Sequence, residues 1–591
     1  MLASFSMAFY RASIHVPLLI NNVYYKFNIN AFKLHLSRRQ LTSKSKYPWS
    51  KRGRNASSSK ETKAAINNLS EYIELRKLEA RKSIVVQVAS WKSCKDLLSY
   101  CSQFGNIANV FYYALPKDHQ FVLLEYKHLV SATTALNAAT YVDKENIVPS
   151  RTNVMWFRKM PESTETSKSK TNHVPHVNFT NYVSFKESII RNMLVNASTV
   201  SSQMMILYNE FKIPELEIRL KFQIITSLEQ YFSGIFPSLI VHPFGSFVNG
   251  FGKKLSDLDV VLFADGLKKE NSLSKLVFHS KSANINEKQQ THEFMGVLAD
   301  TMRYMIPGIS HVRKIFNARV PIIKFNNIFT HTECDLSMSN VIATYMTELL
   351  HLYGEIDNRV RPLVFTIRKW AQDNKLTSVH PGKTITNFSL TLLVIFYLQQ
   401  QKILPAINKM KGFAEINESN DDFLNHIYLH HVQKHWIINN NNDHLSILLL
   451  NFFKYYSRFN FSGNEICLRE GCTFEKQDFQ PLYIHNPFEQ GLNVSKNVSQ
   501  NEIDRMKSLM VIAISNLENT KSSQSKNWGI LSIFNIPDSS NLIIDASQIL
   551  DKRDKSTSEN KEILENSETI ESVQENNVDN RLSTEAQSKL L

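Results

Sequence analysis

Asp257 and Asp259 flank Leu258 at the head of an apolar run, and Asp257 lies twelve residues after Gly245 of a Gly245-Ser246 pair. On a strand, residues two apart leave the same face, so the two acids share one small space while Leu258, Val260 and Leu262 face a core. Two carboxylates so placed repel each other unless a cation sits between them. Hard oxygen donors suit Mg²⁺, which commonly takes one or two carboxylates plus substrate phosphates. Gly245-Ser246 supplies backbone N–H groups and a hydroxyl, with no side chain at Gly245 to obstruct a phosphate. The constellation describes a place for a metal-bound nucleoside triphosphate. Two-metal transfer needs a further acid, and Asp335 in Glu333-Cys334-Asp335-Leu336-Ser337 is the candidate, just past the strand-like run Val320 to Phe325. Each residue also has a plainer reading: surface carboxylates, a strand-end acid paired with a nearby Lys, a tight turn at Gly245, a helix N-cap at Ser246.

The elements that must position these residues are legible. Leu239 to Val241 and Val260 to Phe263 read as β-branched-rich strands joined by a Gly, Asn and Lys-containing connector. Further on, Leu363 to Trp370 has apolar residues at helical spacing, and Phe388, Leu392 and Phe396 recur every fourth position. The pattern of Gly-Ser, Asp-x-Asp and a distant Asp resembles the DNA polymerase β-like nucleotidyltransferases. The segments Phe244 to Leu262 (FGSFVNGFGKKLSDLDVVL), Cys334 to Asn340 (CDLSMSN), Arg361 to Ala371 (RPLVFTIRKWA), Thr384 to Leu398 (TITNFSLTLLVIFYL) and Pro481 to Val498 (PLYIHNPFEQGLNVSKNV) narrow the likeness to the non-canonical poly(A) and poly(U) polymerases, and within them to the mitochondrial branch. The likeness spans about residues 195 to 510.

That resemblance implies an α+β fold: a polymerase β-like nucleotidyltransferase palm, with a mixed sheet and helices, plus a helical domain. It implies metal binding (Mg²⁺ or Mn²⁺) and catalysis by Asp257, Asp259 and Asp335, with ATP and RNA 3′ ends as substrates. Nucleotide contacts are implied for Gly245, Ser246, Arg368, Asn387, Phe388 and Asn493: Arg368 on the triphosphate through its planar fork, Asn387 on phosphate or sugar, Phe388 stacked on the base. The chain departs from the family at Gln372, where relatives often carry Lys, and at Asn387-Phe388, where Ser-Tyr is usual. For Arg368 the plainer reading is a helix-surface ion pair, for Phe388 plain core, and for Asn493 a loop-capping amide. Uridine-adding relatives place a His just before the Asn equivalent to Asn493; here Leu492 stands there, and a leucine cannot donate to a uracil oxygen. ATP is therefore favoured over UTP. A terminal uridylyltransferase, a catalytically silent RNA-binding scaffold and a nucleotidyltransferase acting on a small molecule or protein remain alternatives.

The 591 residues carry a formal charge of +14, suited to a polyanionic partner. Residues 1–60 contain no Asp or Glu but eleven Lys and Arg among Ser, Phe, Tyr and Leu, the composition of a mitochondrial transit peptide; a disordered basic arm is the alternative. The expected location is the mitochondrial matrix. No apolar run approaches the roughly eighteen residues needed to cross a bilayer. Five cysteines form no Cys-x-x-Cys pair, against structural zinc and a disulfide framework.

Residues 61–80 read as a charged helix or linker. An RNP-like βαββαβ domain is expected over 80–155: strand Ser83 to Val88, helix Cys94 to Phe104, strands Ala108 to Tyr113 and Phe121 to Tyr126, helix Leu129 to Ala139. Val85 stands where such modules usually place a stacking ring, and His119 with Phe121 gives a partial platform, which argues against RNA binding by this sheet. The resemblance implies self-association through it, hence a homodimer. A linker over 156–190, the palm over 191–345, a helical central or poly(A) polymerase-associated domain over 346–517 and a mostly disordered tail over 518–591 complete the expected order.

Overall fold

In the computed structural model the described residues are 68–116, 119–139, 154–157, 177–180, 187–236, 239–264, 287–378, 380, 382–411, 436, 441–519 and 527–534. The basic segment 1–60 and residues 535–591 of the tail lie outside them. The chain divides into two compact units, residues 1–184 with 213–347 and residues 185–212 with 348–591.

The first unit opens with α1 (Leu69–Arg81), whose N-cap Asn68 accepts the Glu71 N–H at 2.8 Å. Leu69, Ile73 and Ala80 recur at helical spacing and are buried, so this segment is a packed helix and not a linker. There follow β1 (Ser83–Val88), α2 (Cys94–Cys101), β2 (Ile107–Leu115), β3 (His119–Tyr126), α3 (Leu129–Ala139), β4 (Val154–Trp156) and β5 (Val177–Thr180). They form a sheet in the order β4-β1-β3-β2-β5, so the stretch 156–190 read as linker contributes an edge strand. The predicted helix through Phe104 tightens to a 3₁₀ turn at Ser102–Phe104 and stops at Gly105, whose φ of 148° and close approach to Ser131 leave no room for a Cβ.

Strand alternation splits this sheet into two buried faces. Ile84, Val86, Val88, Val122 and Leu124 pack on Leu97, Leu98 and Cys101 of α2 and Ala132 and Ala135 of α3. The opposite face, carrying Val85, Tyr113, Phe121 and Leu123, packs on Leu216 and Leu220 of α6 (Glu215–Ile235), with Phe329 alongside. Tyr113 and Phe121 stack at 5.4 Å, and the Tyr113 hydroxyl donates to the Phe329 carbonyl at 3.0 Å. An RNP-type sheet stacks bases on this face. Here it is shut by the chain's own helix, a stronger reason against base stacking than the missing ring at Val85.

Downstream of α6 come β6 (Leu239–Phe244), the single-turn α7 (Ser246–Asn249), β7 (Leu258–Ala264), α8 (Glu287–Met305), β8 (Ile309–Ile315), β9 (Ile322–Asn327) and β10 (Thr332–Met338). The sheet order is β6-β7-β10-β9-β8, with β7 and β10 parallel and the other pairs antiparallel, the mixed sheet expected of the palm. The strand expected from Val320 starts instead at Ile322, because Pro321 has no N–H to give the ladder. Leu258, Val260, Leu262, Cys334 and Leu336 are fully buried against Phe222, Ile225, Leu228 and Phe232 of α6 and Met295, Leu298 and Met302 of α8. Each such side chain contributes about 1.5–3 kcal/mol on burial.

The second unit is helical. It contains α4 (Glu187–Val195), α5 (Val200–Phe211), α10 (Val360–Asp373), α11 (Asn387–Gln400), the short α12 (Ile407–Lys411), α13 (Leu445–Ser457), the hairpin β11 (Asn464–Cys467) and β12 (Cys472–Glu475), and α14 (Gln500–Asn519); the boundary between units falls inside α9 (Val341–Ile356). Leu363, Ile367, Trp370, Leu392, Phe396, Phe452 and Phe453 are wholly buried, and Trp370 meets Phe453 edge-on at 4.9 Å. Residues 191–212, expected at the head of the palm, group by their contacts with the helical unit. Trp528, Ile530, Leu531 and Ile533, inside the expected disordered tail, are buried, and the Trp528 indole donates to the Val195 carbonyl at 2.9 Å.

Candidate active site

β6 carries the chain to Phe244, and Gly245 turns it into α7 with φ 79° and ψ −160°. That conformation is open to glycine alone among the common residues, and a Cβ there would fall 2.2 Å from Asp259 Oδ2. The Gly245 N–H donates to Thr347 Oγ1 at 2.9 Å, which fixes the turn. Ser246 is the first residue of the single-turn helix, so the glycine brings the backbone directly against one of the acids.

The register decides the rest. β7 and β10 run parallel with Asp259 opposite Asp335, so alternation on both strands sends these two carboxylates to one face while Leu258, Cys334 and Leu336 enter the core. Asp257 stands one residue ahead of β7, exposed and outside the ladder. One carboxylate oxygen from each of Asp257, Asp259 and Asp335 lies within 4.8 Å of the others. Burial, then repulsion from Asp257 and Asp335, raises the Asp259 carboxyl to about 7. Asp335 is raised by burial too, but Lys324 counters it: the ammonium is 3.2 Å from Asp335 Oδ1 and 3.4 Å from Glu333. Three converging oxygen donors whose mutual repulsion Lys324 only partly offsets fit a hard divalent cation such as Mg²⁺ or Mn²⁺ and fit a soft metal poorly.

The other candidates lie in the helical unit. Arg368 on α10 donates through Nε to Thr391 Oγ1 at 3.0 Å and to the Asn387 carbonyl at 3.3 Å, and burial lowers its guanidinium to about 10. It bridges α10 and α11, so a surface ion pair does not describe it. Asn387 opens α11 behind the N-cap Thr386 and is exposed, and Phe388 is only half-buried, so it is not plain core. Gln372 is exposed and Leu492 half-buried. Asn493 takes the plainer of its two readings, the loop-capping amide. Its Oδ1 accepts the N–H groups of Ile484 at 3.1 Å and Ser495 at 2.9 Å, and its Nδ2 donates to the Leu482 carbonyl at 2.7 Å. With the side chain buried and both ends of the amide engaged, it ties the 482–495 loop together.

Residues 200–355 match the family described as "Poly(A) RNA polymerase, mitochondrial-like, central palm domain", and residues 444–495 match "Cid1 family poly A polymerase". The Drosophila melanogaster mitochondrial poly(A) RNA polymerase is 38% identical over 80% of this chain and 80% of its own length. This chain belongs to the mitochondrial poly(A) RNA polymerase family. The Homo sapiens mitochondrial poly(A) RNA polymerase is 31% identical over 80% of this chain and 82% of its own. A crystal structure of mtPAP in complex with ATPgammaS superposes with a TM-score of 0.68 at 30% identity, covering 79% of this chain and 99% of that one. The mitochondrial poly(A) polymerase fold is thus the frame for the three aspartates.

One residue around the site escaped the sequence reading, and a second entered it only as an unnamed lysine near Asp335. Thr347 holds the Gly245 turn from a helix about a hundred residues on, and no local pattern marks it. Lys324 was visible as the one charge in an apolar strand, and its partner follows from the antiparallel register that sets it opposite Asp335.

Proposed function

We propose that this polymerase adds AMP from ATP to RNA 3′ ends in the mitochondrial matrix, without a template, with Asp257, Asp259 and Asp335 holding divalent cations. The observation that carries the reading is the parallel pairing of β7 with β10, which sets Asp259 beside Asp335 with Asp257 in reach. When bound, Mg²⁺ or Mn²⁺ ions neutralise the triphosphate and ready the RNA 3′-hydroxyl for in-line attack on the α-phosphorus, from which pyrophosphate leaves. Ser246 offers its backbone N–H and hydroxyl to the triphosphate, Gly245, whose own N–H is held by Thr347, keeps the approach clear of a side chain, and the Arg368 guanidinium, already oriented by Thr391, binds its charge. Asn387 meets phosphate or sugar and Phe388 stacks on the base. Asn493 acts on the nucleotide only through the loop it holds. Such chemistry rests on positioning and charge neutralisation, so each acid counts disproportionately.

Leu492 supports ATP over UTP, since an aliphatic side chain packs on a purine and donates to nothing. The reading includes a homodimer formed through the RNP-like module, supported by its exposed apolar side chains Trp91, Leu129, Val130 and Trp156. Purified protein given a labelled RNA oligonucleotide and each nucleoside triphosphate separately should extend it with AMP. Asp257→Ala should abolish incorporation while leaving the melting temperature near wild type. Extension by the Ala variant, or a preference for UMP, would refute the assignment.

A further inference from the structure

Asp259 and Asp335 are held by strand ladders on both sides, whereas Asp257 lies outside any strand. Its position therefore depends on the turn that precedes it. Resting on the active-site reading above, we propose that Glu217 and Lys221, an ion pair buried in α6, form a strut that fixes this turn and so sets where Asp257 meets the cations.

The two residues are one helical turn apart on the face of α6 turned to the sheet, their charged groups are 2.8 Å apart, and their side chains are 2% and 1% exposed. Both reach beyond the pair to the loop. The Lys221 ammonium donates to the Ser256 carbonyl at 2.7 Å and to Ser256 Oγ at 3.1 Å, and it lies 5.1 Å from the Phe247 ring centroid. Glu217 Oε2 accepts the Leu255 N–H at 3.1 Å. Two consecutive residues, Leu255 and Ser256, are thus gripped from α6 immediately before Asp257.

The grip holds a conformation that the chain would not choose. Leu255 has φ 60°, in the left-handed region, and is 56% exposed, so its own packing contributes little to keeping it there. A non-glycine residue so placed costs on the order of 1–3 kcal/mol and persists only where its surroundings over-determine it. Here the surroundings are the Glu217 carboxylate and the turn bond from Ser256 N–H to the Lys253 carbonyl at 3.1 Å. A fold that needed only stability would do as well with apolar residues, because replacing a buried ion pair by well-packed hydrophobics is often neutral or stabilising. What apolar residues cannot do is hold main-chain groups of the loop.

The test compares full-length wild type, Asp257→Ala and the double variant Glu217→Leu with Lys221→Met. Mn²⁺ binding to the protein alone is followed by the paramagnetic resonance signal of free Mn²⁺, alongside melting temperature and kcat and KM for ATP. The double variant should melt cooperatively near wild type yet lose roughly 10- to 100-fold in Mn²⁺ affinity, as loss of support behind metal ligands typically does, with kcat falling far more than KM rises. A folded double variant with wild-type Mn²⁺ affinity and kcat would overturn the strut and leave the active-site reading standing. Wild type that binds no Mn²⁺, or binds it equally with Asp257→Ala, would overturn the active-site reading itself. Hydrogen exchange in metal-free wild type is independent of any variant: the Leu255 amide should be protected despite its exposed side chain, and rapid exchange there would sink the strut.

Discussion

At Asp259 burial and charge oppose each other most directly. The carboxyl sits among Asp257, Asp335 and the Gly245 turn, and desolvation followed by the two like charges lifts it to about 7 from an ordinary value of about 4. A ligand to a cation must be deprotonated, so protons compete for this site as pH falls through neutrality. Mn²⁺ affinity of the nucleotide-free protein should be level above about pH 7 and weaken by up to about tenfold per pH unit below it. The linkage sign follows from the raised value. In metal-free protein the protonated Asp259 contributes stability that is complete below the unfolded value and is lost as pH rises through about 7. Melting curves of metal-free wild type and Asp259→Asn between pH 4 and 8 check this: the wild type should lose more stability across that range than the variant. The aspartates were legible in the sequence because their chemistry needs short, strand-coded spacing. Asn493 was not, because an amide that closes a loop and one that meets a nucleotide look alike until its partners are seen.

The element of greatest consequence is α6, whose sides serve different layers. Phe222, Ile225 and Phe232 fill the palm core, Leu216 and Leu220 close the RNP-like sheet, and Arg219 pairs with Glu125 of β3 at 2.6 Å. With that face of the RNP-like sheet sealed, the module is part of the palm's own support and not a free base-stacking platform. Leu220→Ala removes a fully buried side chain at this joint and should cost about 2–5 kcal/mol. Calorimetry should show the RNP-like module and palm melting together, at a lower temperature, in one transition. Two separate transitions would mean that the modules do not share a core. The periodic elements α3, α11, β1 and β7 could be read from sequence because 3.6- and 2-residue spacing survives there. The joint between α6 and the RNP-like sheet could not, since Tyr113 and Phe121 carry the same residue types whether they meet a base or a leucine.

For the molecule as a whole, the proposed homodimer and the +14 charge concern surfaces. Trp156 on edge strand β4 and Val130 on α3 are 59% and 74% exposed on a module whose two sheet faces are already covered. Sedimentation velocity should give a dimer for wild type and a shift toward monomer for Trp156→Ser with Val130→Asp, at unchanged melting temperature; a wild-type monomer, or a variant that stays dimeric, would remove the module from the interface. Among the described residues no helix is long and apolar enough to cross a membrane. Sequence alone determined the α+β class, the three acids and the family, because carboxylate spacing, a Gly-Ser turn and apolar periodicity are local properties of a chain. Tertiary structure alone decided that β7 and β10 pair in parallel with Asp259 beside Asp335, that α6 shuts the RNP-like sheet, and that Glu217 and Lys221 grip the turn before Asp257. Those are contacts between residues tens to more than a hundred positions apart, and only the packing of elements against one another specifies them.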